Sequence, residues 1–292
     1  MNFMNLPKEF STKEKSKIQI IPISFESNVT VGSGASRGPE KILKASKELE
    51  YFDEELKVEP YSQGIFTTKI NKLKKEKNFN KTLQDILDTL TPLLDNKFPI
   101  ILGSDHSTTI GVIKAFEKKY NDFGIIVFDA HSDLREPWGE ETWWHACTSR
   151  LISKNHSTLI TGVRSQDFYE HEFVNSREGK NVSIIYAHEL LSSKTAFEYA
   201  LKKLPKNIFF SIDVDFLDPS IIRNTNTPEP GGFLWNNLNN LLLKIFKRKK
   251  VIGVDITEFA PNGPEWNYKS EAYLLAKLVY KICAYKQAIK RL

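Results

Sequence analysis

Two short segments of the sequence carry carboxylates and an imidazole at every second position, directly after apolar runs. The residues concerned are Asp129, His131, Asp133, Asp213 and Asp215. Side chains of an extended chain alternate between two sides, so each segment presents its polar groups to one side. Like charges held this close repel each other unless a cation lies between them. The spacing therefore predicts a metal site.

A second imidazole follows another apolar run. His106 stands in the segment Gly-Ser-Asp-His-Ser at 103–107, just before a helical pattern, and Glu258 stands in the loop after the last apolar run. Asp105 and Ser107 could equally cap the helix, so only the histidine of this segment is predicted to bind metal. A single histidine at such a place is more often an ordinary hydrogen-bonded residue. The convergence of two imidazoles and four carboxylates favours the metal site.

Charge counting favours two ions rather than one. Four carboxylates carry four negative charges, which two divalent cations balance and one does not. The predicted ligands are rich in oxygen and include no thiolate, which favours Mn²⁺ over a structural zinc site and leaves Zn²⁺, Co²⁺ and Ni²⁺ as alternatives. Asp218 is not counted, because it precedes a proline at the other parity and is interpreted as a turn residue.

Apolar, β-branched runs that alternate with helix-period segments must position these groups. Strands are predicted at 18–25, 98–102, 123–128, 158–163, 182–186, 208–214 and 251–256. Helices are predicted at 39–51, 82–94, 108–120, 194–204, 234–247 and 272–289. This alternation is typical of an α/β fold with a mostly parallel sheet and helices on both faces. Ligands of such sheets lie at the carboxyl ends of the strands, where the candidate residues fall.

Composition excludes several other classes of protein. The chain has 292 residues with no internal repeat or Pro/Gly/Ser-rich linker, so we expect a single domain over 1–292. Its two cysteines, Cys147 and Cys283, exclude a disulfide framework. The net charge of +5 and one basic run at 247–250 argue against nucleic-acid binding. No apolar stretch is long enough to span a membrane and no signal peptide is evident, so a cytoplasmic location is expected.

Taken together, these segments resemble the ureohydrolase family, which includes arginase, agmatinase, guanidinobutyrase and formiminoglutamase. The match runs in the same order along most of the chain. Its most specific elements are Asp-Ala-His-Ser-Asp at 129–133 and Ser-Ile-Asp-Val-Asp-Phe-Leu-Asp-Pro at 211–219, with Thr-Pro-Glu-Pro-Gly-Gly at 227–232 and Asp-Ile-Thr-Glu at 255–258. The resemblance implies a three-layer α/β/α fold that holds two manganese ions per subunit.

The resemblance also implies a role for each site residue. Asp129 and Asp213 would bridge the two ions. His106 and Asp133 would complete one metal site, and His131 and Asp215 the other. His145 looks like the family's histidine that relays protons, and Glu258 looks like the carboxylate that grips the guanidinium group of the substrate. Asp133 would orient the attacking water and pass a proton to the departing amine, so Asp133, His145 and Glu258 are the predicted catalytic residues.

The loop at 134–142 bears on the substrate. It is acidic and aromatic, which suits a small cationic guanidino substrate and looks like the agmatinase branch, so hydrolysis of agmatine to putrescine and urea is expected. Arg135 could instead receive a carboxylate, as in a guanidino acid. The same loop could also simply face solvent. Differences from the family pattern, such as Ser104 in place of a glycine and the pair Trp143-Trp144, concern substrate fit. The resemblance further implies a homo-oligomer, a trimer or a hexamer.

Two functions of other classes are alternatives. A single-metal, deacetylase-like amide hydrolase would share a related fold but not all six ligands. A catalytically silent relative would not need both His145 and Glu258. Guanidinobutyrase, arginase and formiminoglutamase activities also remain as alternatives within the family.

Overall fold

A parallel β-sheet runs through the centre of the computed structural model, which describes residues 1–26, 33–73, 79–94, 96–137, 144–193 and 195–289. The strands are β1 (Ile18–Ser24), β2 (Ile65–Thr67), β3 (Asn71–Lys72), β4 (Phe98–Leu102), β5 (Gly124–Phe128), β6 (Thr158–Val163), β7 (Val182–Tyr186), β8 (Asn207–Asp213) and β9 (Lys250–Thr257). Their order in the sheet is β2-β1-β4-β9-β8-β5-β6-β7, and β3 pairs with β1. Every pairing between these strands is parallel.

Helices cover both faces of the sheet. They are α1 (Gly38–Ala45), α2 (Phe79–Leu90), α3 (Thr108–Glu117), α4 (Thr148–Ile152), α5 (Phe168–Asn175), α6 (Ala187–Ser192), α7 (Ala196–Lys203), α8 (Trp235–Arg248) and α9 (Lys269–Ala288). One apolar layer packs α1, α7, α8 and α9 against the sheet, and the other packs α2, α3 and α5 against the opposite face. Within the described ranges, no helix is both long and apolar enough to cross a bilayer.

The predicted fold class, an α/β sheet between two helical layers, is confirmed. Strands β4, β6 and β7 have the predicted bounds. Successive residues of β5 alternate between the two layers, with Ile126 in one and Val127 in the other. Such strands, buried on both faces, give continuous apolar runs, which is why the sequence shows them clearly.

Short elements were not predicted. Strands β2 and β3 have three and two residues, and helices α4, α5 and α6 have five, eight and six. Segments of this length contain too few turns or alternations to produce a period. The first helix is also shorter than predicted. It ends at Ala45, and a 3-10 turn at Ser46–Glu48 follows before the backbone becomes extended at Leu49.

The sheet order determines where the site forms. Strands β4, β9, β8 and β5 are consecutive neighbours, and all point the same way. Their carboxyl ends therefore meet at one edge, although the strands are far apart in the sequence. The loops that carry the predicted ligands leave from these ends.

Gly162 stands at an irregular point near the end of β6, where the register with β7 shifts. Its φ is +99°, a backbone conformation that side chains disfavour. A Cβ atom there would lie 2.5 Å from the ring of Phe216 and 3.1 Å from the carbonyl oxygen of Asp129. Phe216 stacks on Phe233 with 4.4 Å between ring centroids, so the ring has little room to move.

We expect Gly162→Ala to lower the free energy of unfolding by about 3 kcal/mol, because backbone strain and overpacking act together. Gly231 is the matched control. Its φ is +79°, but a Cβ there would meet nothing within 4 Å. Gly231→Ala should therefore lose only about 1 kcal/mol. Urea denaturation measures both values, and equal losses in the two variants would contradict the packing argument.

Candidate metal centre

The six predicted ligands come together at the carboxyl edge of the sheet. His106 lies in the loop between β4 and α3, and the residues of 129–133 follow β5. Asp213 ends β8, and Asp215 lies in the 3-10 turn that follows. The Nδ1 atom of His106 lies 3.1 Å from Oδ2 of Asp129, 3.0 Å from Oδ2 of Asp133 and 3.4 Å from Oδ2 of Asp213. One ring nitrogen therefore faces three carboxylate oxygens.

A second cluster adjoins the first and shares Asp129 with it. The Nδ1 atom of His131 lies 3.0 Å from Oδ2 of Asp215 and 3.6 Å from Oδ1 of Asp129. His106, Asp129 and Asp213 form one group that could hold an ion, and Asp129, His131 and Asp215 form the other. The arrangement thus offers two adjacent positions for a cation with one carboxylate between them.

Backbone amides orient three of the carboxylates. Oδ1 of Asp129 accepts from the His131 amide at 2.6 Å, Oδ1 of Asp213 accepts from the Asp215 amide at 2.9 Å, and Oδ1 of Asp215 accepts from the Ala130 amide at 3.0 Å. Each group thus uses one oxygen to accept from the main chain. The other oxygen, Oδ2, faces His106 in Asp129 and Asp213 and His131 in Asp215.

The raised pKa values in the cluster show that several of its groups bind protons more tightly than usual. Burial raises the pKa of Asp133, and the nearby charge of Asp129 adds to this effect, so that it reaches about 7. Burial also raises the pKa of Asp213 well above its usual value, together with the charge of Asp215. Burial lowers the pKa of His131, but the carboxylates of Asp129 and Asp215 outweigh it and raise this pKa to about 11.

The donor set fits divalent cations. Nδ1 of His106 and Oδ2 of Asp129 are buried and have no hydrogen bond of good geometry within the described part of the chain. Buried polar atoms normally have partners, so two unpartnered atoms that face each other call for a positive group between them. Four carboxylates and two imidazoles are ligands that Mn²⁺ accepts.

Glu258 forms one wall of the site. It is buried, and its φ of +64° is rare for a residue with a side chain. Its Oε1 accepts from the His106 amide at 2.6 Å, and its Oε2 accepts from the side-chain amide of Asn226 at 3.2 Å. Burial raises the pKa of Glu258 well above its usual value, and the charge of Asp105 raises it further.

Asp133 is a second strained residue, with a φ of +50°. Its carbonyl accepts from the amide of Arg150, in the short helix α4. Residues in sparsely populated conformations cluster at functional sites, where the surrounding structure holds them. Asp133 and Glu258, both predicted catalytic residues, show this conformation.

A cavity of about 450 Å³ lies over the two clusters, and His145 lines it beside Trp144. The two rings meet edge to face with 5.6 Å between centroids. Burial lowers the pKa of His145. The predicted roles of Trp143 and most of the acidic loop at 134–142 concern residues 138–143, which lie outside the described residues.

Three residues that support the site were not predicted. Glu170 is buried and accepts from the amides of Leu134 and Asp167, both at 2.8 Å, so it ties the loop after β5 to helix α5. The pattern Asp-x-x-Glu at 167–170 is a capping-box signature that could have revealed Glu170.

The Arg164 side chain donates to five backbone carbonyls, including that of Asp215 at 2.6 Å. Thr227 donates to Oδ2 of Asp215 at 3.4 Å.

Asp218 has the role predicted for it. Its carboxylate accepts from the amides of Ser220 and Gly232, at 3.0 and 2.9 Å, and it takes no part in the metal clusters. The turn it stabilises returns the chain toward the cavity.

Comparison with known proteins gives a consistent result. The sequence profile of the Arginase family matches residues 16–284. The N(1)-aminopropylagmatine ureohydrolase of Thermus thermophilus is 30% identical over 255 residues, which cover 86% of this chain and 85% of that protein. The agmatinase of Pyrococcus horikoshii is 31% identical over 247 residues, which cover 82% of each protein. The structure of a formiminoglutamase from Trypanosoma cruzi, solved with Mn²⁺, superposes with a TM-score of 0.82, 18% identity and 97% coverage of both chains.

The pKa of His131 leads to a prediction for metal binding. An imidazole must lose its proton to bind a metal, and in the metal-free protein the pKa of about 11 keeps that proton bound at neutral pH. Because metal binding then releases this proton, a higher pH favours binding, and Mn²⁺ affinity should increase about tenfold per pH unit for each proton displaced. Calorimetry between pH 6 and pH 8, in buffers of different ionisation enthalpy, measures the Mn²⁺ affinity and the number of protons released on binding.

Two variants control this experiment. His131→Asn should reduce the number of protons released, because it removes the group that holds one. His171→Asn changes an exposed histidine on α5 and should leave the pH dependence unchanged. An affinity that stays constant over this pH range would contradict the prediction.

Proposed function

The chain belongs to the arginase family and is a hydrolase of guanidino C–N bonds, and from this premise we propose that it uses two manganese ions to release urea from a guanidino compound with a cationic tail. Agmatine, which would give putrescine and urea, is the substrate we propose first. The observation that carries the proposal is the pair of ion-binding groups that share Asp129 below a cavity walled by Glu258.

The ligands divide between the two ions as follows. Asp129 and Asp213 would contact both ions, His106 and Asp133 would complete one position, and His131 and Asp215 the other. When bound, two such ions lower the pKa of water enough to provide a nucleophile near neutral pH and stabilise negative charge that develops on the substrate. Manganese is supported by the oxygen-rich donor set and by the Mn²⁺ in the Trypanosoma cruzi structure.

Glu258 is the residue that we propose holds the guanidinium group. Each of its oxygens already accepts one hydrogen bond, and each can accept another. A guanidinium presents paired N–H donors that match a carboxylate, so the two would bind side by side. The positive charge of the substrate also favours the ionised form of Glu258, which burial otherwise opposes.

Asp133 and His145 handle the protons. The water oxygen forms a bond to the guanidino carbon while its proton passes to the Asp133 carboxylate. The bond from that carbon to the alkyl-substituted nitrogen then breaks, and its electron pair leaves with the amine. Asp133 returns this proton to the departing nitrogen. The second proton of the water oxygen leaves to solvent as the carbonyl of urea forms, and His145, at the cavity wall, passes a proton from solvent to the amine, which leaves as the ammonium ion.

N(1)-aminopropylagmatine is a second candidate substrate, favoured by the activity named for the Thermus thermophilus relative. A second cavity of about 830 Å³ adjoins the first and shares Arg135, Trp144, Asp167 and Glu170 with it. A longer cationic tail could extend from one cavity into the other. Asp167 lies where the two meet.

We expect Glu258→Gln to lower kcat/KM about 100-fold or more, because a buried guanidinium without its carboxylate loses roughly 3 kcal/mol. Manganese content should stay at two per chain, since Glu258 is not a ligand. Glu265→Gln, on an exposed carboxylate, serves as the matched control. Unchanged urea release in Glu258→Gln would contradict the role proposed for Glu258.

A panel of substrates tests the reaction itself. Urea release is measured with agmatine, N(1)-aminopropylagmatine, arginine and guanidinobutyrate, and formamide release with formiminoglutamate. We expect the two substrates with cationic tails to have the highest kcat/KM. Preferential turnover of guanidinobutyrate or formiminoglutamate would instead assign a carboxylate-bearing substrate, and full activity after metal removal would contradict the metal-dependent mechanism.

Asp167→Asn tests the position of the tail. The Asp167 side chain caps helix α5 by accepting from the Tyr169 amide at 2.8 Å, and asparagine preserves that cap. Loss of the negative charge should lower kcat/KM about tenfold for substrates with a cationic tail, since a charged contact contributes roughly 1.5 kcal/mol. The value for guanidinobutyrate should not fall. Equal losses for all substrates would place the tail elsewhere.

A further inference from the structure

Asp255 is a fully buried carboxylate that takes no part in the mechanism above. It lies on β9 between Val254 and Ile256, whose side chains belong to the apolar layer of α8 and α9. Because side chains alternate along a strand, Asp255 must point to the opposite layer, where α3 packs. It is therefore a charged group in the interior of the molecule, below the metal centre.

Ser211 is the neighbour of Asp255 in the sheet. The two residues are direct partners in the register between β8 and β9. Ser211 lies between Phe210 and Ile212, which also face the α8 and α9 layer, so its hydroxyl points to the same side as Asp255. Parallel strands place such partners side by side on one face of the sheet.

Asp255 depends on hydroxyl groups for stabilisation. Burial raises its pKa to about 6, and the hydroxyls of Ser211 and Thr109 lower it. Within the described residues, neither of its oxygens has a hydrogen-bond partner of good geometry. A buried carboxylate without donors is costly, so the Ser211 hydroxyl hydrogen is needed by Asp255.

Ser211 also contacts the metal centre. Its Oγ lies 3.1 Å from Nε2 of His106, on the side of the ring away from the carboxylates. A serine hydroxyl has one hydrogen and two lone pairs. If that hydrogen goes to Asp255, the oxygen must accept a hydrogen bond from Nε2–H of His106. The proton of the neutral ring is then on Nε2, and the lone pair of Nδ1 faces Asp129 and Asp133.

We propose that Asp255 acts through Ser211 as a positioning residue for His106, which it holds in the tautomer and orientation that bind a metal ion. This inference rests on the proposed metal-dependent function. Partners behind a metal-binding histidine fix its tautomer and increase its basicity. The arrangement here places a hydroxyl between the carboxylate and the imidazole.

His131 has a different environment. Its Nε2 lies 3.8 Å from Oε1 of Glu229, a distance too long for a hydrogen bond, and both side chains are partly exposed. The two histidines thus differ in what holds them. Loss of the Asp255–Ser211 pair should therefore weaken the ion at His106 and leave the ion at His131 bound as before.

The test titrates the metal-free protein with Mn²⁺ alone and follows each binding step by calorimetry. In Ser211→Ala and in Asp255→Asn, one of the two ions should bind about 10- to 100-fold more weakly, and the other should bind with unchanged affinity. The double variant should be no weaker than the weaker single variant, because both changes interrupt one path. Ser211→Thr keeps the hydroxyl and should restore the affinity.

Thr158→Val is the matched control, because it removes a buried hydroxyl at the start of β6 that donates to the His156 carbonyl. The proposal is overturned if both ions bind to Ser211→Ala as they do to the unaltered protein, or if Thr158→Val produces the same loss. If Asp255→Asn fails to fold, the comparison between Ser211→Ala and Ser211→Thr still decides.

A second readout does not depend on activity. In the Zn²⁺-loaded protein, which is diamagnetic, the Nε2–H proton of His106 should be visible by NMR and protected from solvent exchange. Ser211→Ala should remove that protection, and an unchanged signal would contradict the positioning of His106 by Asp255 and Ser211. Absence of urea release from every substrate, with this signal intact, would contradict the proposed function but not the positioning of His106.

Discussion

Four carboxylates that would repel one another are held within hydrogen-bond distance of two imidazoles, and much of the surrounding structure serves to hold them there. The carboxyl ends of neighbouring parallel strands supply the geometry. Backbone amides occupy one oxygen of Asp129, Asp213 and Asp215, which leaves the other free. Without a cation, burial and the charge of Asp129 raise the pKa of Asp133, and the carboxylates of Asp129 and Asp215 raise the pKa of His131, so the cluster binds protons and its net charge falls. Metal ions and protons therefore compete for the same set of atoms.

Charged residues also surround the carboxylate cluster. Glu258 brings a further negative charge into this crowded region, and its strained backbone and two accepted hydrogen bonds hold it in place. Arg164 brings a positive charge near Asp215 and Asp129, and its side chain donates to main-chain carbonyls, so it also joins the loops to one another. The excess negative charge that remains suits a substrate that is itself a cation.

The sequence predicted the parts of the site that depend on local spacing. Asp129 and Asp213 were recognisable because each ends an apolar run, and in parallel sheets such ends meet at one edge. Glu258 and His145 needed the family resemblance, because a loop glutamate and a histidine among aromatic residues have no distinctive spacing. The pairing of Asp255 with Ser211 could not be predicted from the sequence. It depends on the register of β8 against β9, including the shift near Phe209, which no local pattern encodes.

The sheet order also has a consequence for folding. His131 and Asp215 are 84 positions apart in the chain, yet they come from strands β5 and β8, which lie side by side. Parallel neighbours form only after a long connection has closed, and such pairings form slowly. The second ion position, whose ligands follow β5 and β8, therefore cannot exist until these two strands have paired. Metal capture would then mark that pairing, and a bound ion would stabilise the folded state by joining strands that the chain itself connects only through distant loops.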